Sequence, residues 1–327
     1  MRAAAIFGPE GLSVTDWERG FFRESGPVGF ILFARNVDTP DQLRRLTGDL
    51  RDSVGWDAPV LIDQEGGRVQ RMRAPHWREY LPPLDQAQTA SDPEAAFIIR
   101  YKMIAAELRA VGIDVNCVPT LDIAGPETHP FLRNRCLGTT PEEVARNGRA
   151  VAEGCLAGGV LPVMKHMPGH GRATLDSHKE LPTADVPLSE AGAWDFAPFR
   201  ALADLPIGMT AHMVFPEAGP RPATQNPEMI DLIRTDIGFG GLLLSDDLSM
   251  EALSGGIADR AAASVAAGCD VVLHCNGKGP EMEAVATAVG PLTDAARERV
   301  GAALSLRKPA PDVDIAALSA ELEALLG

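Results

Sequence analysis

An eightfold rhythm governs what this chain can become. Short apolar, β-branched runs at 3–7, 28–33, 60–63, 115–118, 161–165, 207–211, 242–246 and 271–274 alternate with longer stretches of helical periodicity, among them 93–111, 141–157 and 257–267. A strand that is apolar along its whole length has both faces buried, as in a parallel sheet covered by helices. Strand–helix alternation repeated eight times predicts an α/β chain closed into a single (β/α)8 barrel of the TIM type, with an open doubly wound sheet as the alternative. The 327 residues suit one such barrel with extended loops, so residues 1–327 are expected to form one catalytic domain. A linker-like Lys308-Pro309-Ala310-Pro311-Asp312 precedes a last helix near 315–326, which is expected to pack on the barrel exterior.

Charge narrows the partners. Lys and Arg number 30 against 45 Asp and Glu, a formal charge of −15, so the surface repels phosphate backbones and nucleic acid is not an expected partner. No apolar run reaches the roughly 18 residues a membrane span requires, and the start Met1-Arg2-Ala3-Ala4-Ala5-Ile6-Phe7-Gly8 is too short in its apolar part for a secretory leader. The five cysteines, Cys117, Cys136, Cys155, Cys269 and Cys275, are odd in number and contain no CxxC, which reads as reduced thiols rather than a disulfide framework. A cytoplasmic monomer acting on a small molecule, with no cofactor and no membrane association, is the expectation.

Polar residues punctuate the ends of several runs: Asp63-Gln64-Glu65, Thr120-Leu121-Asp122, Lys165-His166, His212 and Ser245-Asp246-Asp247. In a barrel these ends gather at one rim, the face where such enzymes place their active sites. Lys165-His166-Met167-Pro168-Gly169-His170-Gly171 opens a Pro/Gly-rich loop that leads to Asp176-Ser177-His178. Asp176 and His178 share a face if extended, and a carboxylate beside an imidazole suits a general acid/base; a surface Asp-x-His turn is the plainer alternative. Of Asp246 and Asp247, one is expected to cap a helix and the other to do chemistry, for instance as a covalent nucleophile. In Asp63-Gln64-Glu65-Gly66-Gly67-Arg68-Val69-Gln70-Arg71 the Gly pair would let backbone approach a ligand, Asp63 could accept from two hydroxyls, and an Arg could bind a carboxylate or hydroxyls; a glycine turn flanked by surface charge explains it equally. A metal site built on His166, His170 and His178 with Asp63 or Asp246 is a rival, weakened because Pro168 and Gly169 prevent a helical His-x-x-x-His pair.

Taken in order, six motifs resemble glycoside hydrolase family 3, and within it the single-domain β-N-acetylglucosaminidases of peptidoglycan recycling. They are Gly29-Phe30-Ile31-Leu32-Phe33-Ala34-Arg35-Asn36, the segment from Ile62 to Arg71, Lys165-His166 with Pro168-Gly169-His170-Gly171, Asp176-Ser177-His178-Lys179-Glu180-Leu181-Pro182, Met209-Thr210-Ala211-His212 and Ser245-Asp246-Asp247-Leu248-Ser249-Met250. The resemblance implies Asp246 as nucleophile, His178 as acid/base with Asp176 as its partner, and Asp63, Arg71, Arg135, Lys165 and His166 as the sugar-binding set, with no metal. It implies a retaining exo-glycosidase that removes terminal β-N-acetylglucosamine from 1,6-anhydro-muropeptides. A broader β-glucosidase or β-N-acetylhexosaminidase, a phosphorylase with the same pocket and a non-catalytic sugar-binding barrel are the alternatives. Cys136 and Leu137 stand where the family usually has Ser and an aromatic after the Arg, and Arg172 where it has an acidic or small residue. If His178 were not the acid/base, Glu65 and His212 would be the next candidates.

Overall fold

In the computed structural model, which describes residues 2–175 and 180–327, the eight apolar runs become β1 (Ala5–Phe7), β2 (Gly29–Leu32), β3 (Val60–Ile62), β4 (Val115–Asn116), β5 (Leu161–Met167), β6 (Ile207–Thr210), β7 (Leu242–Asp247) and β8 (Val271–His274). Each pairs in parallel with the next, and β8 closes onto β1 through Ala5↔Val272. The (β/α)8 barrel read from the sequence is therefore the fold, and the open sheet is excluded. Every residue of β1 through β6 is buried, which explains the unbroken apolar runs.

The flanking helices Pro40–Val54, Pro93–Arg109, Pro141–Ala157 and Pro227–Thr235 share one way of starting. Thr39, Asp92, Thr140 or Asn226 caps the first turn by accepting a backbone N–H, and the next residue is proline. The cap oxygen satisfies one orphan donor, and proline at the first helical position removes another without loss. These starts follow the barrel strands and leave the loops at the C-terminal rim free to vary.

One element departs from the simple alternation. Between β3 and the helices lies an antiparallel hairpin, Gln64–Gly66 with Val69–Gln70. Its strands are polar and short, and side-chain bonds reinforce the ladder: Gln64 Oε1 accepts from the N–H groups of Arg71 (2.9 Å) and Met72 (3.0 Å). Gly66 and Gly67 turn the hairpin at positive φ, +104° and +57°. A Cβ on Gly66 would overlap the Arg100 guanidinium, and one on Gly67 would press on Pro82. The Gly pair thus brings the hairpin backbone close to Arg100 and Pro82 of the protein itself.

The last helix, Ile315–Leu326, lies against Pro93–Arg109, where Leu322 packs with Ala96, Ile99 and Met103. Arg78 ties it further through Ser319 and Glu323. All five cysteines are free and buried. Among the described residues no helix is long and apolar enough to cross a membrane.

Candidate active site

The C-terminal ends of the strands enclose a pocket of about 360 Å³. Phe33 enters from beyond β2, Asp63 from just beyond β3, Arg68 from the hairpin turn and Arg71 from just after the hairpin, and Phe131 and Arg135 from the loop after β4. Lys165, His166 and His170 come from β5 and its loop, Met209 from β6, Asp246 and Asp247 from β7, and Cys275 from beyond β8. Six residues expected at the site, Asp63, Arg71, Arg135, Lys165, His166 and Asp246, meet here although 183 positions separate the first from the last (246 − 63). Asp176 and His178 lie outside the described residues.

One wall is a chain of alternating charge. Arg71 Nη2 is 3.0 Å from Asp63 Oδ2, and Lys165 Nζ lies 2.8 Å from both Asp63 Oδ1 and Glu65 Oε1. Arg135 then forks onto Glu65 through Nε (2.9 Å) and Nη2 (2.8 Å). Burial by itself would raise the Asp63 carboxyl, but Lys165 and Arg71 beside it hold it well below the usual carboxylate range. Burial likewise acts upward on Glu65, yet Arg135 and Lys165 bring it down to about 2. Lys165 is pushed down by burial and pulled up more strongly by Asp63 and Glu65, so it stays an ammonium. Three cations against two carboxylates leave a net positive wall, ready to donate hydrogen bonds to hydroxyl groups.

A second carboxylate organises the adjoining wall. Asp122 is 1% exposed, and its Oδ2 lies 2.7 Å from His166 Nδ1. Its Oδ1 accepts the backbone N–H of His170 at 2.7 Å. Burial pushes the His170 imidazole down to about 4, so the ring is neutral at neutral pH. Its Nε2 is buried and has no partner among the described residues.

The two acids at the end of β7 have different surroundings. Asp247 is tied into the backbone: Oδ1 accepts from Ser249 N (3.0 Å) and Cys275 N (3.2 Å), and Oδ2 from the Ser249 hydroxyl (2.5 Å). Asp246 Oδ1 accepts the N–H of Asp247 at 2.8 Å while the residue lines the pocket. The two fallback candidates for proton transfer are already engaged. Glu65 is locked between cations, and buried His212 bonds Thr224 through Nδ1 (2.8 Å) and the Asp247 carbonyl through Nε2 (2.9 Å).

Sequence reasoning gives Asp122 no role, Glu65 only that of a fallback acid/base, and His170 only that of a ligand in the rival metal site. Asp122 and Glu65 stand in the polar strand ends that mark the rim, but nothing in one sequence says which rim acid faces a ligand and which faces a cation. The departures from the family pattern are absorbed locally. Cys136 packs with Leu84, Ala124 and Leu132, while Arg135 keeps its place on Glu65. Arg172 does not line this pocket; it pairs with Asp195 (2.7 Å) and Glu190 (3.0 Å).

A charged pocket at the C-terminal mouth of a closed β/α barrel is the layout of a TIM-barrel enzyme. The N-terminal domain model of glycosyl hydrolase family 3 matches residues 23–304, and the chain belongs to that family. A β-hexosaminidase from Stenotrophomonas maltophilia (strain R551-3) is 34% identical over 83% of this chain and 83% of its own length. The structure of a family 3 β-N-acetylglucosaminidase from Paenibacillus sp. strain FPU-7 superposes with a TM-score of 0.86 at 29% identity, over 98% of this chain and 66% of that one. That of NagZ from Neisseria gonorrhoeae in complex with N-trifluoroacetyl-D-glucosamine gives a TM-score of 0.86 at 30% identity, over 100% of this chain and 98% of that one.

Proposed function

We propose that this protein is a retaining exo-β-N-acetylglucosaminidase that acts as one catalytic barrel on fragments of peptidoglycan, with N-acetylglucosaminyl-1,6-anhydro-muramic acid, bearing its peptide or not, as natural substrate. The observation that carries the reading is the convergence of the charged chain Arg71–Asp63–Lys165–Glu65–Arg135 and the β7 acid Asp246 on one pocket of a family 3 barrel. The Paenibacillus enzyme is by its description a β-N-acetylglucosaminidase, and the Neisseria structure holds N-trifluoroacetyl-D-glucosamine, which supports an N-acylated glucosamine as the sugar here.

In this reading Asp63 accepts from sugar hydroxyls, while Arg71, Arg135, Lys165 and His166 fix the ring before and during reaction. Asp246 attacks the anomeric carbon, and His178, oriented by Asp176, protonates the departing glycosidic oxygen. Water, deprotonated by His178, then releases the sugar from Asp246. No cofactor takes part. The five buried free thiols fit a reducing compartment, and the reading places the enzyme in the cytoplasm as a monomer.

The test is a leaving-group series. A sugar alkoxide needs a proton to leave and a dinitrophenolate does not. His178→Ala is expected to cripple cleavage of the disaccharide, to spare glycosylation by the dinitrophenyl glycoside, and to regain turnover with added azide. Equal losses on both substrates without azide rescue would remove His178 from the mechanism. Running 4-nitrophenyl N-acetyl-β-glucosaminide against the glucoside, with and without phosphate, tests the sugar and the acceptor together. Faster turnover of the glucoside, or a requirement for phosphate, would replace the reading with the β-glucosidase or the phosphorylase.

A further inference from the structure

We infer that Asp122 is a positioning residue, which holds His166 with its proton on Nδ1 and so turns an unprotonated Nε2 toward the pocket. The inference rests on the reading above for what His166 touches, but not for its own geometry.

Asp122 follows β4 and His166 lies in β5, adjacent parallel strands of the barrel. The carboxylate is buried and serves both sides of one bend. Oδ2 faces His166 Nδ1 at 2.7 Å, and Oδ1 takes the His170 N–H at 2.7 Å, with the His166 N–H at 3.5 Å. A carboxylate is acceptor-only when ionised, so the facing imidazole nitrogen must carry the proton. Burial acts to raise the Asp122 carboxyl, but the hydrogen bonds from the His166 ring and the His170 N–H draw it below its ordinary value and keep it ionised. His166 lines the pocket, and its ring lies 5.7 Å from that of His170, whose neutral Nε2 is unpartnered among the described residues. One buried acid therefore fixes the ring that faces the ligand and the first residues of the loop that follows.

Asparagine separates orientation from bulk. Its side chain has one acceptor where the carboxylate has two. The His170 N–H cannot change character, so the amide oxygen stays with it and the amide NH2 meets His166 Nδ1. That nitrogen must then accept, and the proton moves to Nε2.

The experiment has two arms. Long-range proton–nitrogen correlation spectra of the uniformly labelled full chain, in mildly alkaline buffer, read the tautomer, with the His166 signals assigned by their loss in His166→Gln. The wild-type ring is expected as the Nδ1–H form and the Asp122→Asn ring as the Nε2–H form. A wild-type Nε2–H ring overturns the inference, and that spectrum needs no Asp122 variant to fold. The second arm is a double-mutant cycle on kcat/KM with 4-nitrophenyl N-acetyl-β-glucosaminide. Asp122→Asn is expected to lose roughly 10- to 100-fold, chiefly in KM, and to add nothing further in a His166→Ala background. Losses that multiply in the double variant overturn the positioning role. Wild-type kinetics in His166→Ala would instead overturn the sugar-binding assignment, and the tautomer arm would still decide the inference.

Discussion

Lys165 is 2% exposed and bridges two carboxylates, which makes it structural as well as ligand-facing. Removing it leaves Asp63 and Glu65 buried without their shared cation. Lys165→Ala is therefore expected to cost roughly 3–5 kcal/mol of stability, the penalty of a broken buried pair, as read by urea unfolding. Loss of sugar affinity with an unchanged unfolding midpoint would show that the bridge is not needed by the fold. Arg71 is a quarter exposed and pairs only at the edge of the chain, so Arg71→Ala should leave the fold intact and raise KM, at about 1.5–3 kcal/mol of binding. At the end of β7 the contrast is sharper. Asp246→Asn should lower kcat at least ~10³-fold without unfolding the protein, since the covalent step is lost. Asp247→Asn should chiefly lower stability, because it weakens the bonds to Ser249 and Cys275. A larger kcat loss for Asp247 would exchange the two roles. Which residues belong to the pocket was legible in the sequence for Asp63, Lys165, His166 and Asp246, which sit at strand ends. Glu65 and Asp122 stand at strand ends too, but their roles as inner partners were not legible, because that work depends on distances between strands that are far apart in the chain.

At the level of elements, the helix starts and apolar runs could be read directly, since each is a local signal. The hairpin could not. Gln64-Glu65-Gly66 has no apolar alternation, and its pairing depends on Gln64 reaching Arg71 and Met72 through its side chain. Its tight packing gives a test. Gly66→Ala places a Cβ into the buried Arg100 guanidinium at a φ of +104°, which an L side chain rarely adopts. Arg100 and Tyr101 hold the Glu65 carbonyl, so the displacement passes to the charged wall. The variant is expected to lose roughly 1–3 kcal/mol and to raise KM together with it. Gly48→Ala, in the helix Pro40–Val54 with nothing near the added carbon, should instead gain roughly 0.4–1 kcal/mol. Equal melting temperatures for Gly66→Ala and wild type would mean that the hairpin yields without cost.

For the molecule as a whole, acidity sets how stability moves with pH. Asp63 and Glu65 have folded-state values depressed below their ordinary ones, so their contribution is present above about pH 4 and is lost as the pH falls toward 2. Glu107 runs the other way. It lies on the helix Pro93–Arg109, its carboxyl near the Tyr80 hydroxyl (3.4 Å) and the Arg78 N–H (3.5 Å), and burial raises it from 4.5 to about 7 against the pull of those bonds. Between those values the folded chain holds a proton that the unfolded chain has released. Stability from this group therefore falls as pH rises from 4.5 to 7, by roughly 3–3.5 kcal/mol in total. The formal charge of −15 adds self-repulsion in the same direction. The unfolding free energy should then peak on the mildly acidic side and decline toward alkaline pH. Glu107→Gln cannot ionise, so it should match wild type below pH 4.5, pull ahead across the interval and keep the full advantage above pH 7. Urea midpoints measured across that range decide it: a difference between variant and wild type that does not change with pH would mean that Glu107 ionises as freely in the fold as in the unfolded chain.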